Sequence, residues 1–406
     1  MNRPLSPGPA SGLVRNGAYA TRPLATCRPA PPLPHVRYAS QPVIDRAGRV
    51  VATELLFRWD SGDDPVGPEL GGLATAAVLS NALLDGELLT RSIAAEHPLG
   101  DLLVNMDGRT LMGPIADCMT PDVGVIELLE TVEVNEALTH RIRDLHGRGY
   151  RFALDDIVTP DDARWALAPW VQFAKIDVLA VPPCRWRALI RQAHQLGMAV
   201  IAEKIADEAA HRLALQAGAD YFQGFGIAPA TTLAVRALPG CDARVVGQLF
   251  QLARSGVAAE SLALLAGRHP VLVARLLRMQ EIHAPQSVAG ARSLSEVLES
   301  LPRAVLVAWL AVLGLAAVHG RDTELALQLR SELEKGRRFL RRDRGLTSSV
   351  ELERALFPLC KQLLRMRLQP PSASPFFRLP RRTTPGSASM SDEEAAPSDD
   401  AGLVAA

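Results

Sequence analysis

The chain has 406 residues, which at about 100–200 residues per domain predicts two or three domains. Hydrophobic residues make up 48% and charged residues 22%, and the formal net charge is +0. A neutral chain lacks the positive field of proteins that bind nucleic-acid polymers or anionic membranes, so we expect neither partner.

Residues 1–34 are rich in Pro, Arg and Ala and lack the apolar stretch of a secretory signal. We expect this segment, and the tail over 369–406, to be disordered. The longest apolar run, 304–318, is shorter than the about 20 residues of a membrane helix, and we interpret it as a buried helix. The five cysteines include no Cys-x-x-Cys pair, which excludes a zinc finger and is typical of a reducing compartment. We therefore expect a cytoplasmic protein.

Over residues 35–236, short β-prone runs alternate with helical stretches, predicted over 133–148, 184–196 and 207–217. Most of these runs contain only one or two polar residues, which is typical of strands buried on both faces of a parallel sheet. The alternation predicts an α/β barrel or a doubly wound sheet. A short turn at 46–48 separates the first two runs and predicts an antiparallel hairpin. The runs are VRYASQPVI, RVVATELLF, DLLVNM, GVIELLE, RFALDD, QFAKIDV, AVIAEKI and DYFQGFG.

From residue 243 to 368 the β pattern vanishes. Leu, Ala and Arg dominate, and apolar residues recur at helical spacing, as at Leu325, Leu329 and Leu333. We predict an all-α domain over this range.

A polar side chain lies at or near the carboxyl end of most of the β-prone runs. Barrel enzymes place their functional groups at that end of the strands, so we expect these side chains to converge. Carboxylate and amide oxygens select hard cations such as Mg²⁺ or Mn²⁺. The number of carboxylates is sufficient for two ions about 3.5–4 Å apart, an arrangement used in phosphodiester hydrolysis. The positions are Glu54, Asn105, Glu127, the pair Asp155 and Asp156, Lys175, Glu203 and Gln223.

Each of these residues taken alone has an ordinary structural explanation, such as an edge-strand carboxylate or a salt bridge of Lys175. Their recurrence at one phase of the alternation favours a common site. A glycosidase with paired carboxylates fits poorly, because Lys175 and Asn105 have no place in it. The sequence contains no Gly-x-Gly-x-x-Gly or Walker lysine motif.

Taken in chain order, the runs resemble the EAL-domain family of cyclic di-GMP phosphodiesterases. The resemblance covers about residues 36–234 and implies a TIM-like (β/α)8 barrel with an antiparallel first strand, in agreement with the predicted hairpin. It is carried by SQPVID, GRVVATELLFRW, LLVNMD, IELLE, FALDDI, FAKID, IAEK and YFQGF.

The resemblance also implies roles. Lys175 would orient the attacking water, with Glu203 assisting as a base, and one phosphodiester bond of cyclic di-GMP would be hydrolysed to give the linear dinucleotide. Glu130 would support a mobile loop. The expected ligands of the first ion are Glu54, Asn105, Glu127 and Asp155, those of the second are Asp155 and Asp156 with Glu203 as a further candidate, and the expected nucleotide-binding residues are Gln41, Arg58 and Gln223.

The helical region resembles the HDOD domain, through LALLAGRHPVLVARLLRM and SLSEVLESLPRAVLVAWLAVLGLA. The pairing implies an EAL–HDOD two-domain protein whose helical domain binds a protein partner, and it leaves a homodimer open. The expected organisation is a disordered segment (1–34), an EAL-like barrel (35–236), an HDOD-like domain (243–368) and a disordered tail (369–406).

The sequence differs from the family pattern near the second ion. Residues 157–160, Ile-Val-Thr-Pro, stand where the family has Phe-Gly-Thr-Gly; Lys204 replaces a glycine and Ala206 a glutamate. Two functions therefore stay open. One is a metal-dependent cyclic di-GMP phosphodiesterase in signal transduction. The other is a weak or inactive barrel that binds the nucleotide, or nothing, and acts as a signalling scaffold through its helical domain.

Overall fold

The computed structural model describes residues 35–58, 70–86, 88, 100–316 and 324–368, and every structural statement below refers to these residues. The disorder predicted for 1–34 and 369–406 lies outside the described residues. The described residues belong to one compact unit.

Eight strands close a barrel in which the first strand is inverted. Strand β1 runs antiparallel to both of its barrel neighbours, β2 and β8, whereas β2 to β8 run parallel to one another. The predicted (β/α)8 barrel and its opening hairpin are thus confirmed. The strands are β1 (His35–Asp45), β2 (Val50–Phe57), β3 (Asp101–Met106), β4 (Gly124–Leu128), β5 (Arg151–Ile157), β6 (Phe173–Asp177), β7 (Ala199–Glu203) and β8 (Tyr221–Phe222).

A ninth strand, β9 (Thr231–Arg236), pairs antiparallel with β1 outside the closed ring. Sequence reasoning missed it, because its residues alternate between exposed and half-buried positions and form no apolar run. Strand β1 therefore contacts three strands: β2 over most of its length, β8 at its end and β9 at its beginning.

The helices between the strands begin and end where the sequence indicates. Asn135 caps the helix over residues 136–147, because its side chain accepts a hydrogen bond from the Leu138 N–H. Asp207 caps the helix over residues 208–217 in the same way, by accepting a hydrogen bond from the Ala210 N–H. The three predicted helices are confirmed to within a few residues. The helices of the barrel region are α1 (Gly71–Leu79, continued by a π-helical turn Ser80–Asp85), α2 (Gly108–Met112), α3 (Glu136–Gly147), α4 (Pro183–Gln195) and α5 (Glu208–Ala217).

Side-chain alternation along the strands separates an apolar interior from a polar rim. A small cluster inside the barrel comprises Val43, Ala52, Leu103, Val125, Ala153 and Ile201. Because successive side chains of a strand point to opposite faces, the residue two positions later points into the barrel again. In β2, β3, β4, β5 and β7 that later residue is Glu54, Asn105, Glu127, Asp155 and Glu203 respectively. The apolar cluster therefore forms the floor on which these polar side chains lie.

Past residue 243 every described regular element is a helix, as predicted. Helix α10 includes most of the longest apolar run and is a buried core helix whose Trp309 is fully buried. No single described helix has the length and apolarity of a membrane span; only the bent pair α9 and α10, at 109°, reaches that composition jointly. The helices are α6 (Ala243–Arg254), α7 (Ala259–Ala266), α8 (Pro270–His283), α9 (Leu294–Ser300), α10 (Arg303–Ala316), α11 (Glu324–Asp343) and α12 (Ser349–Leu368).

Buried polar contacts join the helical region to the barrel region. Arg275 of α8 lies 3.2 Å from Asp85 at the end of the π-helical turn, and both side chains are buried. His283, at the end of α8, accepts a hydrogen bond from the Trp309 indole at 2.8 Å and lies 3.2 Å from the Thr120 hydroxyl. The two regions therefore share a packed interface with specific partners.

Candidate active site

The Lys175 ammonium is the centre of a buried cluster at the carboxyl ends of the strands. Its Nζ atom contacts one oxygen from each of four carboxylates, at distances of 2.7–3.3 Å. The lysine is 1% exposed. A buried ammonium is stable only when anionic groups surround it, and here four strands each supply one. The carboxylates are Asp155 (2.7 Å), Glu127 (2.8 Å), Glu203 (3.1 Å) and Glu54 (3.3 Å).

Two amide side chains complete the cluster around Glu54. Asn105 donates to its Oε1 at 2.8 Å, and Gln223 donates to its Oε2 at 2.6 Å. Gln223 also reaches the Gln41 Oε1 at 3.3 Å, and Gln41 donates to the Ala228 carbonyl at 3.0 Å. Six barrel strands and the segment after β8 thus converge on one point, as the position of the polar residues predicted.

Burial sets the protonation behaviour of the cluster. It raises the pKa values of Glu127, Asp155 and Glu203, because the ionised carboxylates are desolvated and lie close to one another. Burial acts in the same sense on Glu54, but the Lys175 charge and the two amide donors outweigh it and lower the pKa of this carboxyl. For Lys175, the surrounding carboxylates outweigh burial and raise its pKa. The Lys175 ammonium is therefore charged, and its single positive charge is surrounded by four carboxyl groups.

A bulge in β5 separates the directions of the two adjacent aspartates. The pairing of β5 with β6 shifts register between Leu154 and Ile157, and Asp156 adopts a left-handed conformation with φ of 50°. Asp155 consequently points to Lys175, whereas the Asp156 carboxylate lies 2.6 Å from the Nζ of Lys204. Burial opposes ionisation of Asp156, but hydrogen bonds with Glu203 and Lys204 outweigh it and lower its pKa.

The segment that follows the bulge is tied to its surroundings. The Thr159 carbonyl accepts a hydrogen bond from the Trp165 indole at 3.2 Å, and the Pro160 carbonyl accepts one from Gln192 of α4 at 3.0 Å. Asp207, which follows Ala206, caps α5 by accepting a hydrogen bond from the Ala210 N–H.

Two predicted residues lie at the rim. Glu130 is exposed, and it can bring a carboxylate oxygen within 4.8 Å of oxygens of Asp155 and Asp156. Arg58 is half-buried at the end of β2 and donates to the Phe57 carbonyl at 2.8 Å. Its assignment to the nucleotide stays a prediction.

Three residues beside the site received no role from the sequence: Lys204, Asp177 and Arg164. Lys204 bridges Asp156 and Asp177, at 2.6 and 2.7 Å. Arg164 is buried and donates to the carbonyls of Leu128 (3.0 Å) and Asp155 (2.6 Å), which fixes the ends of β4 and β5. A buried arginine inside the apolar run ARWALAPW was the available signal for the latter.

The donor set fits a hard divalent cation. Some buried oxygens have no hydrogen-bond partner among the described residues, including Asn105 Oδ1 and Glu127 Oε2. Buried oxygens without partners are costly unless a cation satisfies them. All are oxygen ligands, the kind that Mg²⁺ and Mn²⁺ prefer.

Known proteins are similar to the part of the chain that contains the barrel. Residues 30–230 match the family described as "EAL domain". The uncharacterized protein YuxH of Bacillus subtilis is 29% identical over 193 residues, which are 46% of this chain and 45% of that protein. The cyclic di-GMP phosphodiesterase CdgJ of Vibrio cholerae is 27% identical over 190 residues, 46% of this chain and 42% of that protein. The chain thus spans less than half the length of either relative.

Solved structures with EAL domains resemble part of this chain. The EAL domain of Mycobacterium smegmatis DcpA is 22% identical, with 48% of this chain and 92% of that chain covered and a TM-score of 0.40. The Bacillus subtilis YkuI protein, with an EAL domain and in complex with cyclic di-GMP and calcium, is 21% identical, with 48% and 55% covered and a TM-score of 0.38. The family match and the sequence relatives thus show that residues 30–230 are similar to the EAL domain family.

Proposed function

We propose that this chain is a metal-dependent phosphodiesterase that hydrolyses one phosphodiester bond of cyclic di-GMP to give the linear dinucleotide. The observation that carries the proposal is the convergence of four strand-end carboxylates, Asn105 and Gln223 around the Lys175 ammonium. The family match and the relative named as a cyclic di-GMP phosphodiesterase support the choice of substrate.

The residues divide into an ion-holding set and a water-handling pair. Glu54, Asn105, Glu127 and Asp155 would hold a divalent ion, Mg²⁺ or Mn²⁺, and Asp156 is the carboxylate predicted for a second ion. Such an ion supplies stabilisation of negative charge on the phosphate. Lys175 orients the attacking water through its ammonium, and Glu203 accepts a proton from it. Burial raises the pKa of Glu203, which increases its proton affinity toward what a general base needs near neutral pH.

The nucleotide would lie above the floor of the barrel, on the rim side. Gln41 and Gln223 are joined at 3.3 Å and present amide groups that can pair with a guanine edge or a phosphate. Arg58 follows Glu54 by four residues at the end of β2, and its guanidinium suits a phosphate. Glu130 would support the segment 157–160 beside Asp156.

A second candidate function is favoured by one observation. Lys204 already pairs with Asp156, so a carboxylate expected at the second ion is engaged by an internal cation. A barrel of this kind could bind cyclic di-GMP with little turnover and act as a signalling scaffold. The proposed partner surface is then the helical region 243–368, whose HDOD-like character and boundary with the barrel at 35–236 stay predictions.

Calorimetry followed by a turnover assay tests both candidates on the same full-length protein. Cyclic di-GMP is first titrated into protein with Ca²⁺, and linear product is then measured with Mg²⁺ or Mn²⁺. We expect binding followed by hydrolysis, and loss of hydrolysis in Glu54→Gln. Glu136→Gln changes an exposed carboxylate in the first turn of α3 and serves as the matched control.

The outcomes separate the candidates. Binding without product in either metal eliminates the phosphodiesterase and leaves the scaffold. Absence of binding in the folded wild-type protein eliminates both. Hydrolysis that survives Glu54→Gln unchanged would show that the Lys175 cluster is not where the reaction takes place.

A further inference from the structure

We propose that the Lys204 ammonium is a built-in cation that takes the place of a second divalent ion at Asp156, so that the site holds one ion. This inference rests on the proposed function, because it concerns the same site. It also names a positioning role for a residue that the sequence pattern did not assign.

The Lys204 ammonium lies between two carboxylates. Lys204 Nζ lies 2.6 Å from Asp156 Oδ1 and 2.7 Å from Asp177 Oδ2. Asp177 is buried, and its other oxygen accepts hydrogen bonds from the backbone N–H groups of Leu179 and Ala180, both at 2.9 Å. Asp177 is therefore fixed in place, and withdrawal of the ammonium would leave a buried carboxylate without its cation.

An ion near Asp156 and the Lys204 ammonium would compete for the same carboxylate. Oxygens of Glu130, Asp155 and Asp156 lie within 4.8 Å of one another, which is the candidate position for an ion near Asp156. An ion there would lie close to the Lys204 ammonium, because both would contact Asp156. Two positive charges at such separation repel strongly in a partly buried site. The ammonium belongs to the chain and is always present, whereas the ion must be recruited from solution.

The backbone conformation of Lys204 is also unusual. Lys204 has φ of 56°, a left-handed conformation that lysine adopts reluctantly and glycine adopts readily. Outliers of this kind persist where surrounding structure holds them, and they cluster at functional sites. Here the two ion pairs hold the side chain, so the conformation is retained because it delivers the ammonium to Asp156.

The type of side chain at position 204 also suits this role. The chain contains 44 basic residues, of which four are lysines, and two of these, Lys175 and Lys204, lie in this site. The lysine head is a compact point charge, whereas arginine presents a broad planar fork. A group that takes the place of a metal ion at Asp156 must carry its positive charge in a small volume, as the lysine ammonium does.

The test counts ions in the full-length protein with cyclic di-GMP present. Ca²⁺ is titrated by calorimetry to obtain the number of ions, and Mn²⁺ spectra by electron paramagnetic resonance reveal whether two ions are neighbours. Lys204→Met removes the charge and keeps the chain length, and Lys204→Gly also relieves the left-handed conformation. Lys335→Met changes an exposed lysine of α11 and is the matched control. Thermal unfolding without ions verifies that each variant is folded.

We expect about one ion per wild-type chain, and about two in a folded Lys204 variant, with a spin-coupled Mn²⁺ pair. Lys335→Met should match the wild type. Two ions or none in the wild type, or one ion in a folded Lys204→Met or Lys204→Gly protein, would overturn the inference. Failure of the proposed function is seen separately: cyclic di-GMP would not bind or would not be hydrolysed, while the ion count still decides the role of Lys204.

Discussion

Asp156 and Lys204 are the two non-glycine residues with positive φ in the part of the chain that the structure describes, and their side chains form an ion pair at 2.6 Å. Asp156 lies in the bulge of β5, and Lys204 directly follows the end of β7. The two unusual backbone conformations thus serve a single contact beside the Lys175 cluster.

Replacing Glu127 with glutamine should weaken ion binding without harming the fold. Glu127 is completely buried, its Oε1 lies 2.8 Å from the Lys175 Nζ, and its Oε2 has no hydrogen-bond partner among the described residues. The substitution keeps the volume and removes a charge that is costly to bury. We expect Ca²⁺ affinity to fall by about tenfold or more, with an unchanged or higher melting temperature in the absence of ions.

Calorimetry and thermal unfolding measure the two effects. Glu133→Gln, at an exposed position nearby in the chain, provides the comparison. A Glu127→Gln protein that binds Ca²⁺ as tightly as the wild type would show that this carboxylate is not an ion ligand.

The buried pair of Asp85 and Arg275 should stabilise the contact between barrel and helices. Asp85→Ala leaves a buried guanidinium without its anion, which typically costs about 3–5 kcal/mol of unfolding free energy. The double variant Asp85→Ala with Arg275→Met should lose less, because no charge is then left buried alone. Urea unfolding of the full cycle gives the coupling energy.

A surface pair supplies the contrast. Asp144 is half exposed and lies 3.8 Å from Arg141, so Asp144→Ala should cost about 0–1 kcal/mol. Equal losses in Asp85→Ala and Asp144→Ala would contradict the role given to the buried pair.

His283 should make stability fall in mild acid. Burial lowers the pKa of this histidine to about 4, from 6.5 in the unfolded chain. A lowered pKa means that the unfolded chain binds the proton more tightly, so the contribution of His283 is complete above pH 6.5 and is lost as the pH falls towards 4. The difference between the pKa of 6.5 in the unfolded chain and the pKa of about 4 in the folded protein corresponds to about 3 kcal/mol of unfolding free energy.

The measurement is the unfolding free energy against pH for the wild type and His283→Gln. Glutamine does not titrate, so the wild-type curve should be steeper than the variant curve between pH 6.5 and 4, although the variant is less stable at neutral pH through loss of the Trp309 hydrogen bond. Parallel curves would mean that His283 is not kept neutral by the fold.

Gly224→Ala should disturb the placement of Gln223. Gly224 has φ of 149°, and a Cβ atom there would collide with the Ile205 backbone. Strain of this kind costs about 1–3 kcal/mol, and the shift should also loosen the bond between Gln223 and Glu54. Gly147→Ala, at the end of α3 with nothing within 4 Å, should leave stability almost unchanged. Thermal unfolding and cyclic di-GMP calorimetry measure both effects, and a Gly224→Ala protein as stable as Gly147→Ala would show that the loop accepts the methyl group.

The sequence predicted the cluster because its cause is local and periodic. Glu127 lies two residues after Val125 and Glu203 two residues after Ile201, so alternation alone places each on the inner face. Lys204 was outside the reach of this reasoning, because its contact depends on a left-handed backbone and on a bulge in a different strand. The pair of Asp85 and Arg275 joins residues 190 positions apart, and no periodicity reports such a distant partner.

The inverted first strand determines the end of the barrel at which the chain enters and leaves it. In β1, His35 pairs with Arg236 of β9 and Tyr38 pairs with Phe57 of β2, so β1 starts, and β9 finishes, at the end of the barrel where Glu54 and Lys175 point. In an all-parallel barrel the incoming chain would start at the opposite end. Here the start of β1 and the end of β9, from which the chain continues to α6, both lie at the end of the barrel that holds the Lys175 cluster. The covalent connection to the helical region therefore leaves the barrel from this end rather than from its base.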